Sequence, residues 1–270
     1  MALGELSQLL WGIEPSAAAA ALISLLARLA PLIWIAPVFG GRLVPTPIRL
    51  GFALSLALLI LPALAPQASQ LGKQSSLFLT AIFVKEVCVG FSIGFLVALV
   101  FWAVQSTGAL IDSARGASNA ETLVLQSGER STPFANFHVQ LAVVLFFAIG
   151  GHRLAIRAIV SSYQAIPLAR WLDIASLGQF SGLVIRLTAD LFVLSLSLAA
   201  PVIVALLLTD LALGVINRFV PQINVFFLAM PLKAALGIAV VAVAGGLWLI
   251  VWPEVVSQAM SQIERALALF

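Results

Sequence analysis

Six long apolar stretches dominate this sequence, and all but the fourth are close to or above the roughly 20 residues that an α-helix needs to cross a membrane. The stretches cover residues 17–38, 48–66, 82–104, 134–150, 182–216 and 223–252. Glycine and proline fall between them, where turns are expected. We therefore predict an all-α, membrane-associated protein with about six long apolar helical regions.

The scarcity of charge supports this prediction. Only 9% of the residues are charged and 62% are hydrophobic, whereas a soluble globular domain carries roughly 25% charged residues. So few polar groups cannot cover a water-exposed surface, and the chain must face lipid, other subunits, or both. The net charge of +3 is scattered without a basic run, so nucleic acid is not an expected partner.

The fifth and sixth stretches are too long for one simple span. The fifth contains Pro201 and the sixth contains Pro231. Because proline removes a backbone donor, we expect these regions to be bent, or split into a short and a long helix. No shift in composition marks a boundary, so we predict a single domain over residues 1–270.

Searches for catalytic motifs give no match. The sequence has no phosphate-binding glycine loop, no zinc-binding H-E-x-x-H helix and no nucleophile elbow. His138 and His152 have no cysteine or second carboxylate at metal-ligand spacing, and we assign them to packing or interface roles. We expect no enzymatic activity, no cofactor and no metal.

Seven charged residues lie inside the apolar stretches, more than two residues from either end. They are Arg28, Lys85, Glu86, Arg186, Asp190, Asp210 and Lys233. An ionised group costs about 2.5–3.5 kcal/mol in hydrocarbon, so these side chains should face protein or water. They could form a proton or ion relay, or polar contacts between packed helices and neighbouring subunits. The acids are dispersed over separate helices, which favours the second interpretation, and Arg186 and Asp190 are spaced to neutralise each other on one helical face.

A long polar loop is predicted between the third and fourth stretches, from Gly108 to Pro133. It is rich in serine, glycine and threonine, and strongly apolar helices flank it on both sides. Loops of this length without structure of their own are usually functional or disordered. The alternative is a solvated surface connection.

Two motifs resemble the FliR/SctT family, the export-gate subunits of bacterial type III secretion systems and flagella. The first motif consists of Gly108, Ile111, Asp112, Arg115 and Gly116, at the end of a long helix. The second consists of Pro221, Gln222, Asn224, Val225, Phe226, Pro231, Leu232 and Lys233. With the length and the order of the six stretches, the resemblance covers essentially the whole chain.

The first motif favours an injectisome-type member of this family. Asp112 and Arg115 are similar to injectisome members, whereas flagellar relatives tend to show G-x-x-I-G-x-Q-M-G at the same place. The sequence departs from the family pattern at Gln126–Glu129, where many members carry an Asp-Pro pair.

The resemblance implies roles for particular parts of the chain. An N-terminal helical part, residues 1–180, would carry a plug loop at residues 108–133 that helps to hold a central pore shut. A C-terminal part, residues 181–270, would form a helical hairpin that turns at residues 218–224. The implied plug or gate residues are Gly108, Ile111, Asp112, Arg115, Gly116, Ser118 and Asn119. The implied subunit-packing residues are Arg186, Asp190, Pro221, Gln222, Asn224, Phe226, Pro231 and Lys233.

The resemblance also implies a function and partners. The chain would be a core subunit of the export gate, part of the pore through which unfolded proteins cross the bacterial inner membrane within the basal body. It would assemble with FliP/SctR-like and FliQ/SctS-like small subunits, and with FlhB/SctU-like switch and FlhA/SctV-like large subunits, in contact with membrane lipid. The alternative is a polytopic secondary transporter. Such transporters often pair broken helices in two halves, but Pro201 and Pro231 both lie in the second half.

Overall fold

The computed structural model is all-α in the residues that it describes, which are 14–39, 44–72, 74–116, 132–171, 174–222 and 224–269. The helices are α1 (Pro15–Ile35), α2 (Thr46–Ile60), α3 (Ala65–Leu71), α4 (Ser76–Ala114), α5 (Pro133–Ala148), α6 (Gly151–Ala165), α7 (Ile174–Phe219) and α8 (Val225–Leu267). Short 3₁₀ turns occur at Pro37–Phe39 and Leu61–Leu64. The prediction of an all-α protein is confirmed.

Five helical segments are long and apolar enough to cross a membrane. They are Pro15–Ile35, Thr46–Leu71, Ser76–Ala114, Leu177–Phe219 and Phe227–Gly246. Helices α5 and α6 add a sixth if they are taken together as one broken span. The prediction of about six long apolar regions is confirmed, and the chain is a multi-pass membrane protein.

The internal prolines do not divide their helices. Helix α7 is continuous through Pro201, and α8 is continuous through Pro231 and Pro253. The alternative that these regions are split is therefore wrong. Proline is tolerated inside membrane helices because neighbouring groups satisfy the backbone that it frees.

Helix α6 is an element that the search for apolar stretches missed. One of its faces is buried, with Ala155, Ile159 and Tyr163, while Arg153 and Arg157 on the opposite face are exposed. The arginines interrupt any continuous apolar run, so only the helical period of about 3.6 residues identifies such a helix.

The helices divide into two compact units. The first contains the described residues up to Ala98, those from Gly150 to Ile185 and those from Gln258 onward. Within it, α1 packs against α2, α3 and the first half of α4.

Two glycines one helical turn apart bring α1 and α4 into backbone contact. A Cβ added at Gly90 would overlap the carbonyl group of Arg28, and one added at Gly94 would lie 2.7 Å from the Cα of Leu32. Small residues at this spacing let helix backbones approach closely, which strengthens packing in lipid. The close approach places Arg28 of α1 directly beside Lys85 and Glu86 of α4.

The second unit contains residues Leu99–Ile149 and Arg186–Ser257. Its core includes Ile111 of α4 with Ala199, Val202 and Leu206 of α7, all of which are buried. Leu236, Val240 and Val241 of α8 pack against this cluster. The unit thus joins the end of α4 to both long C-terminal helices.

Candidate functional site

The end of α4 is joined to the start of α5 by one buried carboxylate. Oδ2 of Asp112 accepts the backbone N–H of Phe134 at 2.9 Å and that of Ala135 at 3.4 Å. The first N–H groups of a helix have no partner inside it, and the local capping residue, Thr132, makes no side-chain hydrogen bond here. Asp112 therefore caps α5 from a different helix, where the helix dipole also favours its negative charge.

Arg115, one turn further along, neutralises the same carboxylate. It forms an ion pair with Oδ1 of Asp112, and its guanidinium carbon lies 4.2 Å from the centre of the Phe134 ring. The side chain also reaches α8, because a Cβ added at Gly237 would lie 2.8 Å from Cδ of Arg115. Arg115 thus connects α4, α5 and α8.

The two glycines of the motif have distinct conformational roles. A Cβ at Gly108 would lie 2.5 Å from both Cα and N of Ala135, so only glycine allows α4 and α5 to approach this closely. Gly116 has a φ of 78°, in the left-handed region, and its N–H donates to the carbonyl of Ser113 at 3.0 Å. Glycine adopts this conformation without strain and ends α4.

These contacts define what we call the loop-base clamp: Gly108, Asp112, Arg115, Phe134 and Ala135. They hold together the two ends of the chain segment 117–131. The predicted loop started too early, because α4 continues through Gly108 to Ala114. Helix continuation is explained by Ile111, which is buried in the core of this unit and holds the last turns of α4 in place. Ser118 and Asn119, predicted gate residues, lie outside the described residues.

A second ion pair ties the C-terminal helices into a hairpin. Nζ of Lys233 on α8 lies 2.5 Å from Oδ1 of Asp210 on α7, and 3.5 Å from the carbonyl oxygen of Ala114 at the end of α4. Helix α7 ends at Phe219 and α8 begins at Val225, so the predicted turn at residues 218–224 is confirmed.

The other residues of the second motif lie at or near this turn. Pro221, Gln222, Asn224 and Pro231 are exposed. Phe226 belongs to the first turn of α8, and its side chain lies outside the described residues. The motif therefore presents polar and apolar groups outward, with Lys233 as its contact to the rest of the unit.

Arg186 and Asp190 do not neutralise each other as predicted. Both side chains are exposed, and neither forms an ion pair with a described residue. An exposed pair gains little from its attraction, and arginine preceding the acid is the less favourable order on a helix. Two charges on an apolar helix are left facing outward.

The first unit contains a buried cluster of charges around Arg28. Its guanidinium donates to Oε2 of Glu86 at 2.5 Å, to Oγ of Ser162 at 3.1 Å and to the carbonyl of Ile166 at 2.9 Å. It also lies 4.0 Å from the centre of the Tyr163 ring. Arg28 and Glu86 are both fully buried, so every charge in this cluster depends on partners within the protein.

Lys85 is the third charged residue of the cluster, and its ammonium group binds backbone carbonyls in the connection between α6 and α7. Nζ donates to the carbonyls of Pro167, Leu168 and Arg170 at 2.9–3.0 Å, and lies 2.8 Å from Oε1 of Glu86. Backbone carbonyls that are buried outside helices need hydrogen-bond donors from elsewhere in the protein. Lys85 and Arg28 supply the donors for the connection between α6 and α7.

These contacts support the interpretation that the buried charged residues hold packed helices together, and not the interpretation that they relay protons or ions. Lys85 and Arg28 bond to backbone carbonyls, a hydroxyl group and a single shared carboxylate. A relay would need further acids along one path. The partners at residues 162–170 were not foreseen, because no local sequence pattern links them to residues 28 and 85–86.

An apolar cavity of about 530 Å³ lies within the second unit beside the loop-base clamp. Arg115, Phe134, His138 and Trp248 are among the residues that line it. The His138 ring is buried, lies 4.7 Å from the Trp248 ring, and its Nδ1 is 2.6 Å from the carbonyl oxygen of Phe134. Packing, as predicted, accounts for this histidine. In the part of the chain that the structure describes, no three potential ligands are grouped to hold a metal ion.

Comparison with known proteins identifies the family of this chain. Residues 19–259 match the family described as bacterial export proteins, family 1. The flagellar biosynthetic protein FliR of Bacillus subtilis is 30% identical over 234 residues, which cover 86% of this chain and 89% of that protein. The secretion system apparatus protein SsaT of Salmonella typhimurium is 35% identical over 199 residues, covering 73% and 75%. The Yop proteins translocation protein T of Yersinia pestis is 32% identical over 213 residues, covering 78% and 80%.

The chain belongs to the FliR/SctT family.

Flagellar and secretion-apparatus members of the FliR/SctT family both match this chain. Their names describe flagellar proteins in some cases and secretion-apparatus proteins in others. The family match begins inside α1 and ends inside α8. It therefore includes the loop-base clamp, the buried charge cluster and the C-terminal hairpin.

Proposed function

We propose that this chain is a core subunit of a type III protein secretion export gate. It forms part of the pore through which unfolded polypeptides cross the bacterial inner membrane. Membership of the FliR/SctT family and the apolar helices support this proposal. The single structural observation that carries it is the loop-base clamp, because a gate needs a segment that is fixed at its base.

The clamp would let a plug move while the helices at its base stay packed together. Asp112 holds the end of α4 against the start of α5, so the chain leaves and re-enters the helices at one fixed point. The fifteen residues 117–131 between these points are mostly polar or small. A barrier that blocks ions yet passes a polypeptide requires closed and open states that differ little in free energy. In our proposal the clamp stays in place while this segment is displaced.

An injectisome-type gate is the form that we favour. Asp112 and Arg115, which are similar to injectisome members, act together in this chain at the base of the proposed plug. Their side chains link three helices, a role that the glycine at the aspartate position in flagellar relatives could not fill.

Removing the plug should open the pore while the assembly survives. We expect deletion of residues 117–129, which leaves Gly116 in place to end α4, to make membranes permeable to small ions and dyes. The clamp should keep α4 and α5 together, because none of its residues is deleted. Dye entry into cells that carry the whole secretion apparatus measures the leak, and co-purification of the other gate subunits measures assembly.

A chain with the same residues 117–129 in reversed order is the control for length. An intact seal in the deletion variant, with assembly preserved, would show that the segment is not the plug. Lost assembly in both variants would show that the segment is a packing element.

The proposed partners are the small FliP/SctR-like and FliQ/SctS-like subunits, with the FlhB/SctU-like and FlhA/SctV-like subunits beyond them. Outward-facing Arg186 and Asp190 and the exposed hairpin turn are suited to contact such subunits. Charges on an apolar helix need polar partners, and polar groups hold helices together in membranes.

Substitutions in the hairpin motif test these contacts. We expect Lys233→Ala and Asn224→Ala to weaken co-purification of the small subunits, because each removes a polar group near the hairpin turn. Asp210→Asn is the matched control, since it breaks the Lys233 ion pair but keeps the lysine. Its side chain is 46% exposed, so the cost to stability should stay below about 1 kcal/mol. If Asp210→Asn weakens co-purification as much as Lys233→Ala, the lysine acts through the hairpin and not through a partner.

A further inference from the structure

Helix α6 presents a basic face that no other described part of the chain neutralises. Arg153 and Arg157 lie one turn apart on the face opposite to buried Ala155 and Ser162. Arg170, shortly after the helix, is also exposed. None of the three arginines forms an ion pair with a described residue.

Helix α6 and the helix before it contain no acid. Residues 132–172 include three arginines and no aspartate or glutamate. In two other helices a lysine pairs with an acid: Lys85 with Glu86 and Lys233 with Asp210. The face therefore has a net positive charge that calls for an anionic ligand from outside the chain.

Apolar side chains accompany the arginines at the surface. Leu154 and Val160 on α6 are each 37% exposed, and Trp171, next to Arg170, is 54% exposed. A basic amphipathic helix with exposed apolar residues is typical of a helix that lies on a membrane surface. Tryptophan is enriched at the same level of the bilayer.

Length also excludes α6 from crossing the membrane alone. Fifteen residues form a helix of about 22 Å, shorter than the roughly 30 Å of hydrocarbon in a bilayer. The arginines would in addition be costly within that hydrocarbon.

Hydrogen bonds and a ring contact fix the positions of Arg170 and Trp171 in the segment after α6. The carbonyl of Arg170 accepts a hydrogen bond from Lys85 at 3.0 Å, and the N–H of Leu168 donates to Gln67 at 3.1 Å. The Trp171 ring packs edge-on against Phe78, with ring centres 5.9 Å apart. The basic face is thus preorganised by contacts within the first unit.

We propose that the exposed face of α6, together with Arg170, binds the phosphate headgroups of anionic phospholipids. Arginine guanidinium groups pair with phosphate through two parallel hydrogen bonds, and the neighbouring Leu154 and Trp171 enter the upper acyl region. An acidic protein surface would satisfy the arginines but would leave no role for these apolar side chains. The site does not depend on the export-gate function and would exist in any membrane assembly that contains this chain.

Lipid retention by the purified complex tests the proposal. The tagged chain is purified in mild detergent with its partners, and phosphatidylglycerol that remains bound is counted by native mass spectrometry. We expect Arg153→Gln/Arg157→Gln to lower retention by roughly fivefold for each arginine, since each basic residue near an anionic surface contributes about that factor. The matched comparison uses single variants: Arg157→Gln should show the fivefold loss, whereas Arg265→Gln, which removes the same charge at another exposed position of the first unit, should retain lipid as the unmodified chain does.

Three results would overturn the proposal. The first is equal retention in Arg157→Gln and Arg265→Gln. The second is displacement of the lipid by excess inorganic phosphate, or equal retention of phosphatidylcholine, because the site would then not recognise an anionic headgroup on a membrane. The third is unchanged lipid with loss of a protein subunit in Arg153→Gln/Arg157→Gln, which would make this face a protein interface.

Discussion

Glu86→Gln should destabilise the protein more than any other single conservative change. The carboxylate of Glu86 is the only anion beside Arg28 and Lys85 in the described part of the chain, and all three side chains are at most 3% exposed. Removing one partner of a buried ion pair costs about 3–5 kcal/mol, because the remaining charge is left without compensation. Here two cations would remain. We expect little folded protein in the membrane and a much lower melting temperature for the purified assembly.

Glu264→Gln is the control for this prediction, since it removes the same charge at an exposed position of the same unit. Exposed substitutions of this kind usually change stability by less than about 0.5 kcal/mol. A proton relay predicts a different result: Glu86→Gln would fold and melt normally but lose pH-dependent export. That outcome would contradict the structural role that we assign to the cluster.

Asp112→Ala should both destabilise the second unit and make the pore leak. The substitution leaves two N–H groups at the start of α5 without their acceptor and Arg115 without its counter-ion. Hydrogen bonds to a charged group contribute about 1.5–3 kcal/mol each, so the loss should be on the order of 2–3 kcal/mol after relaxation. The plug would then no longer be anchored at a fixed base, so the ion conductance of the assembly should rise by roughly tenfold, the factor that corresponds to about 1.4 kcal/mol of lost anchoring.

Asp112→Asn should have a smaller effect than Asp112→Ala. Asparagine keeps one oxygen that can accept the N–H of Phe134 but loses the ion pair with Arg115. Ser113→Ala, at the exposed neighbouring position, should leave conductance unchanged. Conductance of the reconstituted assembly and its melting temperature would be measured together. Equal leakage in the alanine variants of Asp112 and Ser113 would show that the loop-base clamp does not anchor the plug.

Much of the fold could be predicted from the sequence, because apolar length and turn residues determine where membrane helices lie. The hairpin turn before Val225 follows from such local signals, whereas the last turns of α4, up to Ala114, depend on the burial of Ile111 in the core. Helix α6 could not be found in this way, since its arginines break the apolar run. The continuous path of α7 through Pro201 depends on its surroundings and not on local propensity.

For the charged residues, too, the sequence predicted only a part of what the structure shows. Their positions inside apolar stretches indicated that they need partners, but the partners are set by tertiary contacts. Arg28 reaches residues 162 and 166, far along the chain, because Gly90 lets α1 and α4 touch. Arg186 and Asp190 have ideal spacing for a pair and still do not form one, because exposure leaves too little attraction between them.

Purification of the tagged chain from its native membrane, with identification of what accompanies it, tests the central claim most directly. We predict a large complex that contains two smaller, strongly apolar subunits, and no solute transport by the isolated chain. A stable chain that purifies alone and moves a solute across proteoliposomes would contradict the assignment as an export-gate subunit.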